Sequence, residues 1–370
     1  MELKEYRFDE VTINFDKKRV PLSGAQREKR QGKYRYYGAQ GVIDHIDDYI
    51  FDGTYLLIAE DGENLKSKKQ NIAQVVEGQF WVNNHAHIVQ GNELCDTRYL
   101  CYLLNSMDLS GYVTGSAQPK LSQANLNAVT LLLPPISIQK KIVEYLYMFD
   151  KKIAVNQQIN DNLAELLQTV YQERFGDVSA AGEQGKLLDI CFYSKDRVAV
   201  SELNTSTYFS TENMLPGKAG ATEAASLPTT PQTTACHNGD TLISNIRPYF
   251  KKIVYCNDEC GCSTDVLCFT PVQSKYAAYL FSTLYADKFF AFMVTGSKGT
   301  KMPRGDKQQI MSYPVALPSE EELKEFNALA LPVLAKIHSN KAENKRLSAT
   351  RDALLPKLMS GEIDVSDIQF

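Results

Sequence analysis

Two histidines raise the question of chemistry first. His85 and His87 stand two apart in FWVNNHAHIV, residues 80–89. On a strand that spacing puts both rings on one face, as a metal-ligand pair would need. No cysteine or carboxylate stands near enough in sequence to complete a ligand set, so packed or hydrogen-bonded histidines are the competing reading. Glu60, Asp61 and Glu63 lie beside a lysine-bearing loop and read as solvated rather than as an acid pair. Eight cysteines include no CxxC; the densest group is Cys256, Cys260, Cys262 and Cys268. That spacing fits no usual zinc pattern and suits free thiols of a reducing compartment, buried or on loops. There is no GxxxxGK[ST], since Gly32-Lys33 runs into Tyr34, and no GxGxxG. An Asn or Asp before Pro-Pro-aromatic, as adenine methyltransferases carry, is missing: Leu133-Pro134-Pro135-Ile136 only echoes it. A PD…(D/E)xK nuclease arrangement is missing too. Binding, rather than catalysis, is the chemistry these residues favour.

The charge pattern gives binding a place. Net charge is −4 over 370 residues. Yet residues 17–35 hold eight Lys or Arg (Lys17, Lys18, Arg19, Arg27, Lys29, Arg30, Lys33, Arg35) against one Glu, followed by an acidic stretch from Asp44 to Glu63. Those cations either grip phosphates or are simply solvated. No apolar run approaches the ~18 residues that span a bilayer. MELKEYRFDE has no signal-peptide core, so a cytoplasmic location is expected.

The element that must position any site is a long helix. Residues 134–176 place Ile142, Leu146, Phe149, Ile153, Asn156, Asn160, Leu163, Leu167 and Val170 at alternating spacings of four and three, a heptad seam with two asparagines in it. Adding 184 gives a second seam: Phe326, Ala330, Val333, Ile337, Asn340, Asn344, Leu347, Arg351 and Leu354. The chain is thus a duplication in which each globular half ends in a helix, and each seam's natural partner is the other, antiparallel. The asparagines either fix register or sit half-exposed at a loose seam. Gly176 caps the first helix, Ser319-Glu320-Glu321-Glu322 opens the second as a capping box, and Pro332 should kink or break it.

The globular halves share a frame of short strands. Candidates in the first are Val11–Phe15, runs within 34–60, Ala73–Val76, Phe80–Val82, His85–Val89 and Val129–Leu133, with a helix at Tyr99–Leu104. In the second, Gly239–Ile243 answers Gly53–Leu57, residues 262–269 answer NNHAHIV, and Tyr276–Leu284 answers the helix. Val294-Thr295-Gly296-Ser297 copies Val113-Thr114-Gly115-Ser116 at an offset of 181, which pairs Lys120 with Lys301.

Residues 36–62 (YYGAQGVIDHIDDYIFDGTYLLIAEDG), FWVNNHAHIV, LPPISIQKKIV (133–143), GDTLISNIRPYFKKIVY (239–255), STDVLCF (263–269), GTKMPRGDKQQIMSYPVALP (299–318) and LLPKLMSGEI (354–363), in this duplicated order, resemble the specificity subunits of type I restriction–modification systems. The resemblance implies an α+β fold of two pseudo-repeated mixed α/β target-recognition domains separated by two long helices forming an antiparallel coiled coil. Its segments would be 1–134, 135–176, 177–318 and 319–370. It further implies that each domain reads half of a bipartite double-stranded DNA site. The helices would set the gap and dock two modification subunits. Those partners would bind S-adenosylmethionine, and restriction subunits would use ATP and Mg; this chain would carry no cofactor, metal or catalytic residue.

Direct readout needs polar and cationic side chains on loops. Three loops qualify: Lys66-Ser67-Lys68-Lys69-Gln70; Gln118-Pro119-Lys120-Leu121-Ser122; and Lys298 to Arg304, with Thr300 and Lys301 inside it. Arg247, in SNIRPYFKK, reads either as a DNA contact or, the favoured reading, as a structural arginine paired inside its domain. The alternatives are a non-catalytic coiled-coil scaffold without a DNA role, and a hydrolase using His85 and His87.

Overall fold

The computed structural model describes residues 2–67, 70–115, 118–180 and 182–365. The chain divides into two compact units, one of residues 1–153 with 345–370, the other of residues 154–344.

The first unit is built on the strand Phe51–Ala59, antiparallel to Ala73–Val82 on one side and to Ala86–Gly91 on the other. Thr12–Asn14 extends the sheet at one edge; Gln31–Gly38, parallel to Ala73–Val82, and then Gly41–Ile46 extend it at the other. Successive side chains of the central strand take opposite faces. Leu56 and Ile58 enter a core with Phe8, Tyr99 and Leu104, while Leu57 joins Tyr37, Phe51 and Phe80. The two strands expected at 73–76 and 80–82 are one. Gly78 faces Gly53 across the ladder, and both hold positive φ, +80° and +129°. The glycine pair absorbs an irregularity that would end the ladder at other residues. Helix Thr97–Ser106 starts on Asp96, whose carboxylate accepts from the N–H groups of Arg98 and Tyr99. An antiparallel ribbon joins Lys4–Arg7 to Thr130–Leu133.

The second unit has two four-stranded sheets. In one, Thr241–Ser244 lies between Ile253–Tyr255 and Val266–Pro271, with Cys191–Tyr193 outermost. Helices Ala277–Tyr285 and Asp287–Thr295 share a core with this sheet through Tyr279, Phe289 and Phe290 against Ile243, Leu267 and Phe269. The other sheet runs Arg197–Ala199, Gln232–Cys236, Cys260–Cys262, Tyr208–Phe209. A ribbon of Gln184–Lys186 with Pro314–Ala316 repeats the first unit's ribbon.

The long helices are Ile136–Phe175 and Glu320–Ser360, 40 and 41 residues, each about 60 Å long. In the second unit Leu163, Leu167 and Val170 pack in one core with Phe326, Ala330, Val333 and Ile337. Asn340 donates to Asn160, and Asn156 donates to Asn344 and Glu343, each at 2.8 Å. In the first unit Ile142 and Leu146 meet Leu354 and Leu358, and Arg351 pairs with Asp150. Partner numbers fall as helix numbers rise, so the pairing is antiparallel in each unit. Phe149, Ile153 and Leu347 are half-buried. Asn156, Asn160 and Asn340 are buried and Asn344 half-buried, so the seam is tight at the asparagines.

Both helix ends are explained locally. Ser319 Oγ accepts from the N–H of Glu322 while Glu322 accepts from the N–H of Ser319, completing the box. Gly176 does not use a left-handed cap. Its N–H donates to Gln172 O at 3.0 Å, and a Cβ there would stand 2.5 Å from that same oxygen. The expected break at Pro332 is absent, for the helix is continuous through it. Pro332 is exposed, so the carbonyl it leaves without a donor can turn to water.

Candidate nucleic-acid interface

Each unit carries one clamped loop beside its central sheet. In the first, Thr114 and Lys120 exchange both backbone hydrogen bonds, at 2.9 and 2.8 Å, closing a turn through Gly115 at φ +84°. The N–H of Leu121 donates to Glu60 O and that of Gly62 to Pro119 O, tying the turn to the end of the central strand. In the second, Lys298 and Arg304 exchange bonds at 2.9 and 3.0 Å around Gly299 at φ +100°. There the N–H of Gly305 donates to Asn245 O and that of Arg247 to Pro303 O. The two clamps superpose in sequence at 184: Thr114 on Lys298, Gly115 on Gly299, Pro119 on Pro303, Lys120 on Arg304. Ser122 and Asp306 follow in register, each capping a short helix, Gln123–Asn127 and Lys307–Met311.

The equivalence of Lys120 with Lys301 at an offset of 181 is therefore corrected to Lys120 with Arg304. Val294 and Thr295 end helix Asp287–Thr295, whereas Val113 and Thr114 follow a short 3-10 turn, so the matching tetrapeptides occupy unlike structures. The helix offset of 184, applied to the loops, would have found the true register from sequence alone.

Of the loop candidates, Lys66 and Gln118 are exposed and Lys66 donates to Gly115 O at 2.9 Å, so the first unit's two loops meet. Ser67 is half-buried and ends the helical turn Asn64–Ser67; Gln70 is exposed. Lys68 and Lys69 lie outside the described residues. Ser122 is engaged in its cap. Lys120 is exposed, with Nζ 3.2 Å from Glu60. Glu60 also receives Arg19 at 3.0 Å. Burial works against its charge, but the bonds from Arg19 and Lys120 and the nearby His87 hold its carboxyl below the usual range. Lys298 pairs with Asp306 at 2.5 Å and Arg304 with Asp265 at 3.0 Å, both with exposed side chains. Thr300 and Lys301 are exposed, and Lys301 makes no ion pair among the described residues.

The histidines part company. His87 is buried, its Nδ1 2.7 Å from Asp16 and its Nε2 2.8 Å from Leu121 O, so both ring nitrogens face oxygen acceptors. It secures the clamped loop. His85 is exposed and meets Asp61 at 2.7 Å. Among the described residues no group of three or more His, Cys, Asp or Glu is placed to hold a metal. All cysteines but Cys101 are buried, and Cys268 donates to Asp240 at 3.2 Å. Half of the basic 17–35 cluster is engaged within the unit: Arg19 with Glu60 and Arg27 with Asp44, both part-buried, and, at the surface, Arg30 with Asp47 and Arg35 with Glu77 O. Arg247 is not paired inside its domain as expected. It makes no ion pair among the described residues, and its buried Nε has no hydrogen-bond partner.

Each of the two mixed α/β units thus carries a clamped cationic loop and half of an antiparallel helix pair, a duplicated plan. Residues 2–165 match the type I restriction modification DNA specificity domain. It is 35% identical over 138 residues to a putative type I restriction enzyme specificity subunit of Haemophilus influenzae, covering 37% of this chain and 35% of the relative. It is 29% identical over 125 residues to the type I restriction enzyme EcoprrI specificity subunit of Escherichia coli, covering 33% and 30%. These matches span about a third of the length of the curated relatives. The crystal structure of the type I restriction–modification S subunit from M. genitalium shares the fold, with TM-score 0.56 at 14% identity over 97% of this chain and 96% of that one. Among the described residues no helix is long and apolar enough to cross a membrane.

Proposed function

We propose that this chain is the DNA-specificity subunit of a type I restriction–modification complex. Each unit reads one half of a bipartite duplex site through its clamped loop, and the helix pair sets the gap and docks the modification subunits. Those partners bring S-adenosylmethionine and methylate adenine. Where restriction subunits join, they bring ATP and Mg; no catalytic step is assigned to this chain. The observation that carries this reading is the pair of clamps at a constant 184. One backbone geometry presents Gln118, Lys120 and Lys66 in one unit and Lys298, Thr300, Lys301 and Arg304 in the other. A frame kept constant while its side chains diverge suits two readers of different half-sites. Co-expression with the cognate modification subunit, followed by genome-wide mapping of methylated adenine, should give a two-part motif with a fixed gap. A formed complex that leaves no methylation, or a motif of one part, overturns the proposal. A scaffold without a DNA role predicts no salt-dependent duplex binding by that complex.

A further inference from the structure

The turn Ile246–Lys252 joins strands Thr241–Ser244 and Ile253–Tyr255, and it is strained and pinned. Arg247 and Lys251 both hold left-handed backbone at φ 51°, which non-glycine residues adopt rarely. Several bonds hold them there. The N–H of Arg247 donates to Pro303 O, that of Gly217 to Phe250 O and that of Lys218 to Lys251 O. The ammonium groups of Lys218 and Lys251 both meet Asp287 at 2.8 Å. What this framework displays is unusual for a surface. Tyr249 and Phe250 are 50% and 39% exposed, with ring centroids 4.7 Å apart. Beside them stands Arg247, whose buried Nε lacks a partner.

The Arg247–Pro303 bond and the bridge between Ile246 and Arg304 fasten this turn to the second unit's clamped loop. The corresponding stretch of the first unit, about 184 residues earlier, is Gly62 to Ser67. It has no aromatic residue and buries its Leu65. The units therefore differ in kind where the clamp meets the sheet.

We infer that the Ile246–Lys252 turn is a duplex-contacting wedge of the second unit: Tyr249 and Phe250 press on base or sugar surface, and Arg247 engages the adjoining phosphate or base edge. Aromatic faces beside an unpaired guanidinium suit a nucleic acid, which offers apolar base faces within an anionic backbone. Fixing the turn in advance lowers the ordering cost of contact.

This inference rests on the proposed function, and one experiment separates the two. The full chain in complex with its modification subunit is compared with Tyr249→Ala/Phe250→Ala and, separately, Arg247→Gln, for methylation motif and for binding to a duplex carrying the wild-type site. Loss of two stacking rings should weaken binding at least about thirtyfold and relax one half-site only. Arg247→Gln should weaken binding at that same half-site. Because the rings are exposed, melting temperature should stay unchanged in the double variant. Phe192→Ala, an exposed aromatic elsewhere in the unit, should leave binding as it was. Wild-type affinity with both half-sites intact in the variants overturns the inference while leaving the proposed function standing, and so does an equal loss from Phe192→Ala. Absence of a two-part motif from the wild-type complex overturns the function itself.

Discussion

At the scale of single residues, the two clamps offer matched cations with different tethers. Lys120 keeps Glu60 as neighbour and Arg304 keeps Asp265, and each must trade that partner for a phosphate on binding. The more exposed Arg304–Asp265 pair contributes little on its own, whereas Lys120 leaves a Glu60 that is only 15% exposed but keeps Arg19 as partner. Lys120→Ala and Arg304→Ala should each weaken duplex binding across sequences and reduce the slope of log affinity against log salt by about 1. A slope unchanged in both clamp variants would remove them from the phosphate contacts. Asp287 makes a second residue-level argument. Hydrogen bonds from Lys218 and then Lys251 lower its carboxyl from an ordinary 3.8 to about 2. A depressed carboxyl stabilises the fold above its unfolded value and loses that contribution as pH falls through the folded one. Asp287→Asn should therefore lower the melting temperature at neutral pH, with the gap closing as pH falls from about 4 toward about 2. A gap that stays constant over that window would show that the two lysines do not hold the turn through this carboxylate.

At the scale of elements, the seam was legible and the sheets were less so. Heptads declare themselves because every seam residue faces the same partner over forty residues, and the asparagine pairs follow from the common offset. The sheets hide because the second unit's strands run only two to six residues and because Gly53 and Gly78 together carry a ladder through an apparent break. The ribbon strand Lys4–Arg7 gave no signal, since a charged, largely exposed strand lacks apolar alternation. The loops misled for a different reason: a four-residue identity outweighed the longer register that geometry obeys. The buried turn of the seam yields a test. Asn340→Ala leaves Asn160 buried without the donor that now meets its carbonyl, an unsatisfied polar group costing about 1–3 kcal/mol. Replacing Asn160 and Asn340 together by Leu removes both polar groups and should recover that loss, at the expense of register specificity. Denaturant unfolding of the single and double variants measures it. A double variant no more stable than the single one would show that the pair is not the source of the cost.

At the scale of the whole molecule, the proposal makes the helices a ruler. A heptad removed from each takes away about 10 Å, close to three base pairs of duplex. Deleting residues 156–162 and 340–346 takes out Asn156, Asn160, Asn340 and Asn344 together, so no asparagine is left buried without its partner. On either side of the deletion the four-three spacing resumes, and the seam can close. The recognised gap should then shorten by about three base pairs while both half-site sequences persist. Three base pairs also turn the duplex by nearly a third of a helical revolution, whereas a heptad rotates the helix face by only ~20°. The shortened protein therefore meets its second half-site out of phase, and binding should weaken unless the duplex twists to compensate. Methylation mapping of the deletion complex, with duplexes of graded gap for affinity, separates length from phase. A gap that stays at its original length, or half-sites that change in sequence, would show that the helices do not measure the site.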